Sequence, residues 1–200
     1  MADKDAGDSI RAAAIIRPPD NSRTDCLDAF IRILQGQGYI VRGLIQRNLD
    51  DDSGCGCTML LVDLDSHREY RISQNLGRDS TCCRIDTNAI ADASTVLRQA
   101  MTERPDLIIV NKFGKLEAGG EGLADEMLAI MAGGIPLLTT VEPQFLDGFR
   151  RFTGGMAAEL SANCGSLMRW WDGARPRSLP RGATSPQDAF QRMAPIPEMS

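Results

Sequence analysis

Residues 107–110 read LIIV and run straight into NKFGKLEAGG at 111–120. Four apolar residues in a row, with Pro105 and Asp106 before them and a glycine-rich loop after, fit a central parallel strand covered on both faces. Upstream, AAAII at 12–16 predicts a short buried strand, ended by Pro18 and Pro19 because proline removes a donor and restricts its predecessor. Asn21, Ser22 and Thr24 offer caps to a helix whose Leu27, Phe30, Ile31 and Leu34 recur three and four apart, closed by Gly36 and Gly38. YIVRGLI at 39–45 is the next strand, and the acidic loop NLDDDSGCGC at 48–57 leads to another at 58–64. REYRISQ, 68–74, alternates and pairs with it as a hairpin across 65–67.

Downstream, Asp86 caps a helix to about residue 102, with Ile90, Ala93, Val96, Leu97 and Ala100 on its apolar side. A helix at 123–131, a strand at 135–141 and two amphipathic pieces at 145–152 and 156–160 follow, and Trp170 and Trp171 dock the last helix. Alternating strands and helices predict an α/β fold, a mostly parallel sheet flanked by helices, with a β-hairpin. Residues 1–11 are an N-terminal extension, 12–172 the α/β domain, and 173–200 a Pro/Arg-rich tail. Ligands of such sheets bind beyond the carboxyl ends of the strands. The loops 17–24, 46–57 and 111–120 fall there, with a fourth after Val141.

Charge narrows the function. Lys plus Arg number 22 against 27 Asp plus Glu, so the net charge of −5 argues against a general nucleic-acid binder. No apolar run is long enough to cross a bilayer, and the acidic N-terminus MADKDAGDSI is no secretory signal, so a cytoplasmic location is expected. His67 is the single histidine, which excludes HExxH zinc hydrolysis. It reads as a solvated turn residue rather than a member of a Ser-His-Asp triad.

Three constellations carry chemistry. RPPDNSRT, 17–24, stands where a phosphate-binding loop would follow the first strand, but has neither the glycines nor the lysine of a Walker A loop. Arg17, Arg23 and Thr24, with the helix N-terminus, remain as an anion-binding set, against the plainer reading of a capped loop. Cys55 and Cys57 form C-G-C, and Cys82 and Cys83 are adjacent further on. Thiolates suit zinc, copper(I) or iron–sulfur clusters, whereas free cysteine is otherwise a small buried hydrophobe. The hairpin brings Cys55, Cys57 and Cys83 together, with Cys82 the lesser partner. Their open position is filled by water, a fourth thiol or a second subunit, so a homodimer is expected. The strand at 107–110 ends in Asn111 and Lys112 where a Walker B strand carries acids, with Lys115 and Glu117 beyond.

The order of these pieces, with VDLDSHREYRISQ and IIVNKFGKLE, resembles the P-loop nucleoside-triphosphatases, with Asn111 and Lys112 in place of Asp and Glu. A closer resemblance is to a small bacterial domain-of-unknown-function family, often encoded beside molybdate-transport or nitrogenase genes. It is carried by CGCTMLLVDL, by Ile72 to Arg78, by CRID and by NKFGKLEAGGEGL, and covers residues 12–172. The resemblance implies a three-layer P-loop-NTPase-like fold with degenerate Walker motifs and a role in molybdenum or metal metabolism. The leading expectation is a non-catalytic metal- or molybdate-handling protein. A metal or cluster would sit on Cys55, Cys57, Cys83 and Cys82, and an oxyanion on Arg17, Arg23, Thr24, Asn111, Lys112, Lys115 and Glu117. The alternatives are a divergent nucleotide-binding protein or nucleoside-triphosphatase, and a regulatory scaffold.

Overall fold

The computed structural model describes residues 11–17, 25–74 and 84–175. Five parallel strands form the body of one sheet: β1 (Ala12–Ile16), β2 (Val41–Asp50), β7 (Leu107–Phe113), β8 (Leu137–Val141) and β9 (Ala158–Ser161). β3 (Cys57–Asp63) and β4 (Glu69–Arg71) extend it antiparallel, so the order is β4-β3-β2-β7-β8-β1-β9. The hairpin reads as expected, with Leu61 opposite Tyr70. A two-stranded ribbon of β5 (Ser73–Gln74) and β6 (Arg84–Ile85) lies beside it.

Alternation along the strands builds two cores. Ala12, Ala14, Leu44, Ile108, Val110 and Leu137 face one side, where α2 (Thr87–Glu103), α4 (Ala124–Ala132) and α5 (Leu146–Phe152) supply Leu97, Met127 and Phe149. Ala13, Ile15, Val41, Ile45, Leu107 and Ile109 face the other, covered by α1 (Asp25–Gly36) and α6 (Cys164–Ala174) through Phe30, Leu34 and Trp171. Consecutive residues of β7 thus serve opposite layers, which is why the run is apolar without a break. Asp86 caps α2 as expected, accepting from the N–H groups of Asn88 and Ala89.

Two elements differ from the sequence reading. Of the two amphipathic pieces, the first holds α5, whereas the second gives way to a strand: Ala158–Ser161 is the edge strand β9, paired to β1 on one side. β2 runs to Asp50, well past residue 45, because its polar second half goes on pairing with β3 beyond its last partner on β7. Among the described residues no helix is long and apolar enough to cross a membrane.

Candidate functional site

The carboxyl ends of β7, β8 and β1 lie side by side in that order and open on one edge. Between Val110 and Phe113 the pairing of β7 with β8 slips: Val110 faces Thr139 and Phe113 faces Val141, so β7 carries one residue more than its partner. Such a bulge re-aims side chains at a strand end. The peptide joining Asn111 and Lys112 at this point is cis.

Asn111 and Lys112 reach different partners on β8 and its exit. The Thr140 hydroxyl donates to Asn111 Oδ1 at 2.8 Å, which fixes the amide. Lys112 Nζ lies 2.7 Å from Glu142 Oε1, both side chains about one-third exposed. Gln144 Nε2 donates to the other oxygen of Glu142 at 2.9 Å. The hydrogen bond from Lys112 holds the Glu142 carboxyl below the ordinary carboxylate range. The charges of Lys112 and Arg17 act the same way, and desolvation opposes them. Arg17 leaves β1 at this edge, its N–H donating to the carbonyl of Val141 at 2.9 Å.

Glu117 occupies a different environment. It sits on the short helix α3 (Lys115–Ala118), is buried, and accepts from the Gly114 N–H at 2.9 Å and the Leu123 N–H at 3.2 Å. The first bond is the return half of a capping box. The second ties the loop after α3 to the start of α4. Gly122 makes this possible: its φ is +64°, and a Cβ there would stand 2.4 Å from Glu117 Oε1. Glu117 thus serves as the keystone of the 114–123 loop, and Lys115 beside it is exposed.

The edge therefore gathers Arg17, Asn111 and Lys112, adds Thr140 and Glu142, and leaves Glu117 committed to backbone donors. Thr140 and Glu142 are the residues that motif reading misses. Their pairings span 29 and 30 residues of sequence, so only the loop after Val141 signals them. Arg23 and Thr24 lie outside the described residues. Counting supplies what composition hides there. Eight residues of sequence, 17–24, lie between Ile16 and Asp25, the first described residue of α1. That is the length of G-x-x-x-x-G-K-[ST]. Counted from Arg17, the frame puts Ser22 at its second glycine, Arg23 at its lysine and Thr24 at its closing Ser/Thr.

Cys55, Cys82 and Cys83 lie outside the described residues, as does the side chain of Cys57. Cys164 Sγ donates to the carbonyl oxygen of Cys26 at 3.9 Å. Among the described residues no group of three or more His, Cys, Asp and Glu side chains is placed to hold a metal ion. His67 closes the turn after β3 with a φ of 58°. The neighbouring Ser66 hydroxyl donates to Asp63, 2.5 Å away, rather than to His67.

The model of the family described as "Protein of unknown function (DUF2478)" matches residues 12–170. The chain is 38% identical over 164 residues to "Molybdenum import ATP-binding protein ModC 2" of Bradyrhizobium diazoefficiens. That match takes in 82% of this chain but spans only 18% of the relative's length. Among solved structures, a human cancer-related nucleoside triphosphatase superposes with a TM-score of 0.57 at 15% identity, over 76% of this chain and 88% of that one. At that identity the likeness is one of fold, and it is the fold expected. The expectation of a metal- or molybdate-handling protein built on thiolates is overturned. The curated relative is named an ATP-binding protein, and among the described residues the carboxylates and thiols form no metal cluster. Neither an iron–sulfur cluster nor a dimer finds support.

Proposed function

We propose a function from one premise: this chain belongs to the DUF2478 family. It is a divergent nucleotide-binding protein of the P-loop nucleoside-triphosphatase fold, holding nucleotide phosphates at the carboxyl edge of β1, β8 and β7. The observation that carries this reading is the carboxyl edge itself, where Asn111 and Lys112 at the end of β7 share one edge of the sheet with Arg17 at the end of β1, and Arg23 and Thr24 follow in the sequence.

The grip differs in kind from that of an ordinary phosphate loop. Glycines let successive N–H groups curl around a phosphate. With Arg17, Pro18, Pro19 and Ser22 in the frame, that work passes to side chains. Arginine suits it, because its planar fork binds phosphate oxygens in pairs. Lys112 faces the same edge from two strands away, roughly 10 Å at ordinary strand spacing, within the span of a polyphosphate chain.

The test is equilibrium binding of fluorescent N-methylanthraniloyl ATP and GTP to the full chain. Saturable binding is expected, and Lys112→Ala should weaken it about tenfold, or 1.4 kcal/mol. Absence of saturable binding for both nucleotides would overturn the proposal.

A further inference from the structure

A groove lies between α1 and the hairpin of β2 and β3, on the opposite side of β7 from β8 and β1. Its volume is about 350 Å³, toward the lower end of the range of about 300–1,000 Å³ for small-molecule sites. The floor is apolar: Ile31 comes from α1, Ile45 from β2, Val62 from β3 and Leu64 from just after it. Register explains why the groove stays open. Ile45 stands opposite Val62, so both face the α1 side of the sheet. Of the buried apolar residues of α1, Ile31 is the one that reaches this surface. The core ends there, and Val62 and Leu64 are left half-buried. Arg47 borders one end of the groove and His67 the other. Leu60 lies opposite Arg47 and is four residues from Leu64, which makes the groove roughly 13 Å long at 3.3 Å per residue.

The charged groups of the rim are not equivalent. Arg47 is held by Asp28, Nη2 to Oδ1 at 2.8 Å. Asp63 gives its carboxylate to the Asp65 N–H and the Ser66 hydroxyl. One strand further out, Glu69 stands opposite Val62 and Arg71 opposite Leu60, an anion and a cation beside the groove that do not line it. Arg32 differs. It is exposed, its Nε donates to the backbone carbonyl of Asp28 at 3.3 Å, and among the described residues it pairs with no carboxylate. The groove thus joins an apolar floor to one guanidinium whose fork is open to a ligand. We propose that it is a binding site for a small monocarboxylate with an apolar body. The body covers Ile45, Val62 and Leu64, and the carboxylate meets the guanidinium of Arg32 in the two-pronged geometry that suits this planar donor. The site goes beyond the nucleotide-binding reading and does not rest on it, because none of its residues belongs to the carboxyl edge of β1, β8 and β7.

The test is an NMR titration of the full chain, with isotope-labelled methyl groups on Ile, Leu and Val, using octanoate as the probe. Saturable shifts are expected at the methyls of Ile31, Ile45, Val62 and Leu64. Octanol, which has the same apolar length without the charge, should bind about tenfold more weakly, the loss of one charge-assisted contact. Arg32→Gln should weaken octanoate by about the same factor and leave octanol unchanged. Absence of saturable shifts at these four residues would overturn the proposal. Octanol or octylamine binding as tightly as octanoate would reduce the groove to an apolar patch and overturn it too. An Arg32→Gln protein with the parent melting temperature and unchanged octanoate affinity would have the same consequence. Methyl shifts that follow protein concentration alone would show a second copy covering the groove, again against the proposal. The comparison of octanoate with octanol needs no variant, so a misfolded Arg32→Gln leaves the test intact.

Discussion

Glu142 and Lys112 hold each other in check. The lysine is the cation that a phosphate would recruit from the end of β7, yet it is bound 2.7 Å from a carboxylate. Nucleotide must compete with Glu142 for it. A partly exposed pair of this kind contributes about 0.2–1 kcal/mol. Glu142→Gln should therefore tighten binding of N-methylanthraniloyl ATP by about 1.4- to fivefold, that same energy expressed as an affinity ratio. Unchanged or weaker binding in a folded Glu142→Gln protein would place Lys112 outside the site. The pair also has a pH signature. Lys112 first, then Arg17, lowers the folded pKa of Glu142 below its unfolded value. Its contribution to stability is thus fully present above the usual Glu value of about 4.3 and is lost as pH falls through the folded value. Glu142→Gln should remove that part of the acid limb from a urea-denaturation series. Glu117 shows the opposite use of a carboxylate. Both its oxygens serve buried N–H groups, so a residue that sequence places in the oxyanion set is part of the scaffold.

At the scale of elements, the tightest constraint is in β2. Gly43 has a φ of +125°, and a Cβ there would stand 1.9 Å from the carbonyl oxygen of Ile109. The neighbour is the backbone of the central strand β7, which cannot yield without breaking the sheet. Overpacking and an unfavourable φ each cost about 1–3 kcal/mol, so Gly43→Ala should destabilise by about 3 kcal/mol or more in urea denaturation. A loss under 1 kcal/mol would mean that the two strands do not meet there. Sequence cannot announce this glycine, because the clash is with a strand more than sixty residues away. The elements that were legible are those whose burial is complete or one-sided. LIIV was readable as a doubly covered strand, the Leu27–Leu34 spacing as a helix face, and 58–74 as a hairpin. β9 was not, because four residues, AELS, at a sheet edge show too little alternation to be told from a helical turn. The site divided the same way. Asn111 and Lys112 follow from the rule that strand ends carry function. Thr140 and Glu142 depend on a bulge in the β7–β8 pairing, which no local pattern encodes.

On the scale of the whole molecule, two apolar layers clamp a parallel sheet, and its polar chemistry is concentrated where three strand ends meet. Such an edge can hold an anion without reacting it. Phosphoryl transfer needs little covalent chemistry from the protein and depends on positioning and on charge stabilisation, chiefly by Mg²⁺ and a lysine, with a residue to orient the attacking water. This edge keeps cations but has Asn111 for the metal-binding acid, and its nearby carboxylates are tied to Lys112 and to backbone N–H groups. On the proposed reading, nucleotide binding is expected to occur without turnover. Phosphate release from saturating ATP or GTP, with Mg²⁺ present, should stay at the level of buffer alone. Turnover near 1 s⁻¹, the low end for enzymes, that disappears in Lys112→Ala would show that the edge retains a catalytic arrangement its residues do not suggest. Turnover that survives Lys112→Ala would point to a contaminating hydrolase. Saturable binding in the same preparation, without release, is the signature of a fold that has kept its phosphate edge and given up hydrolysis.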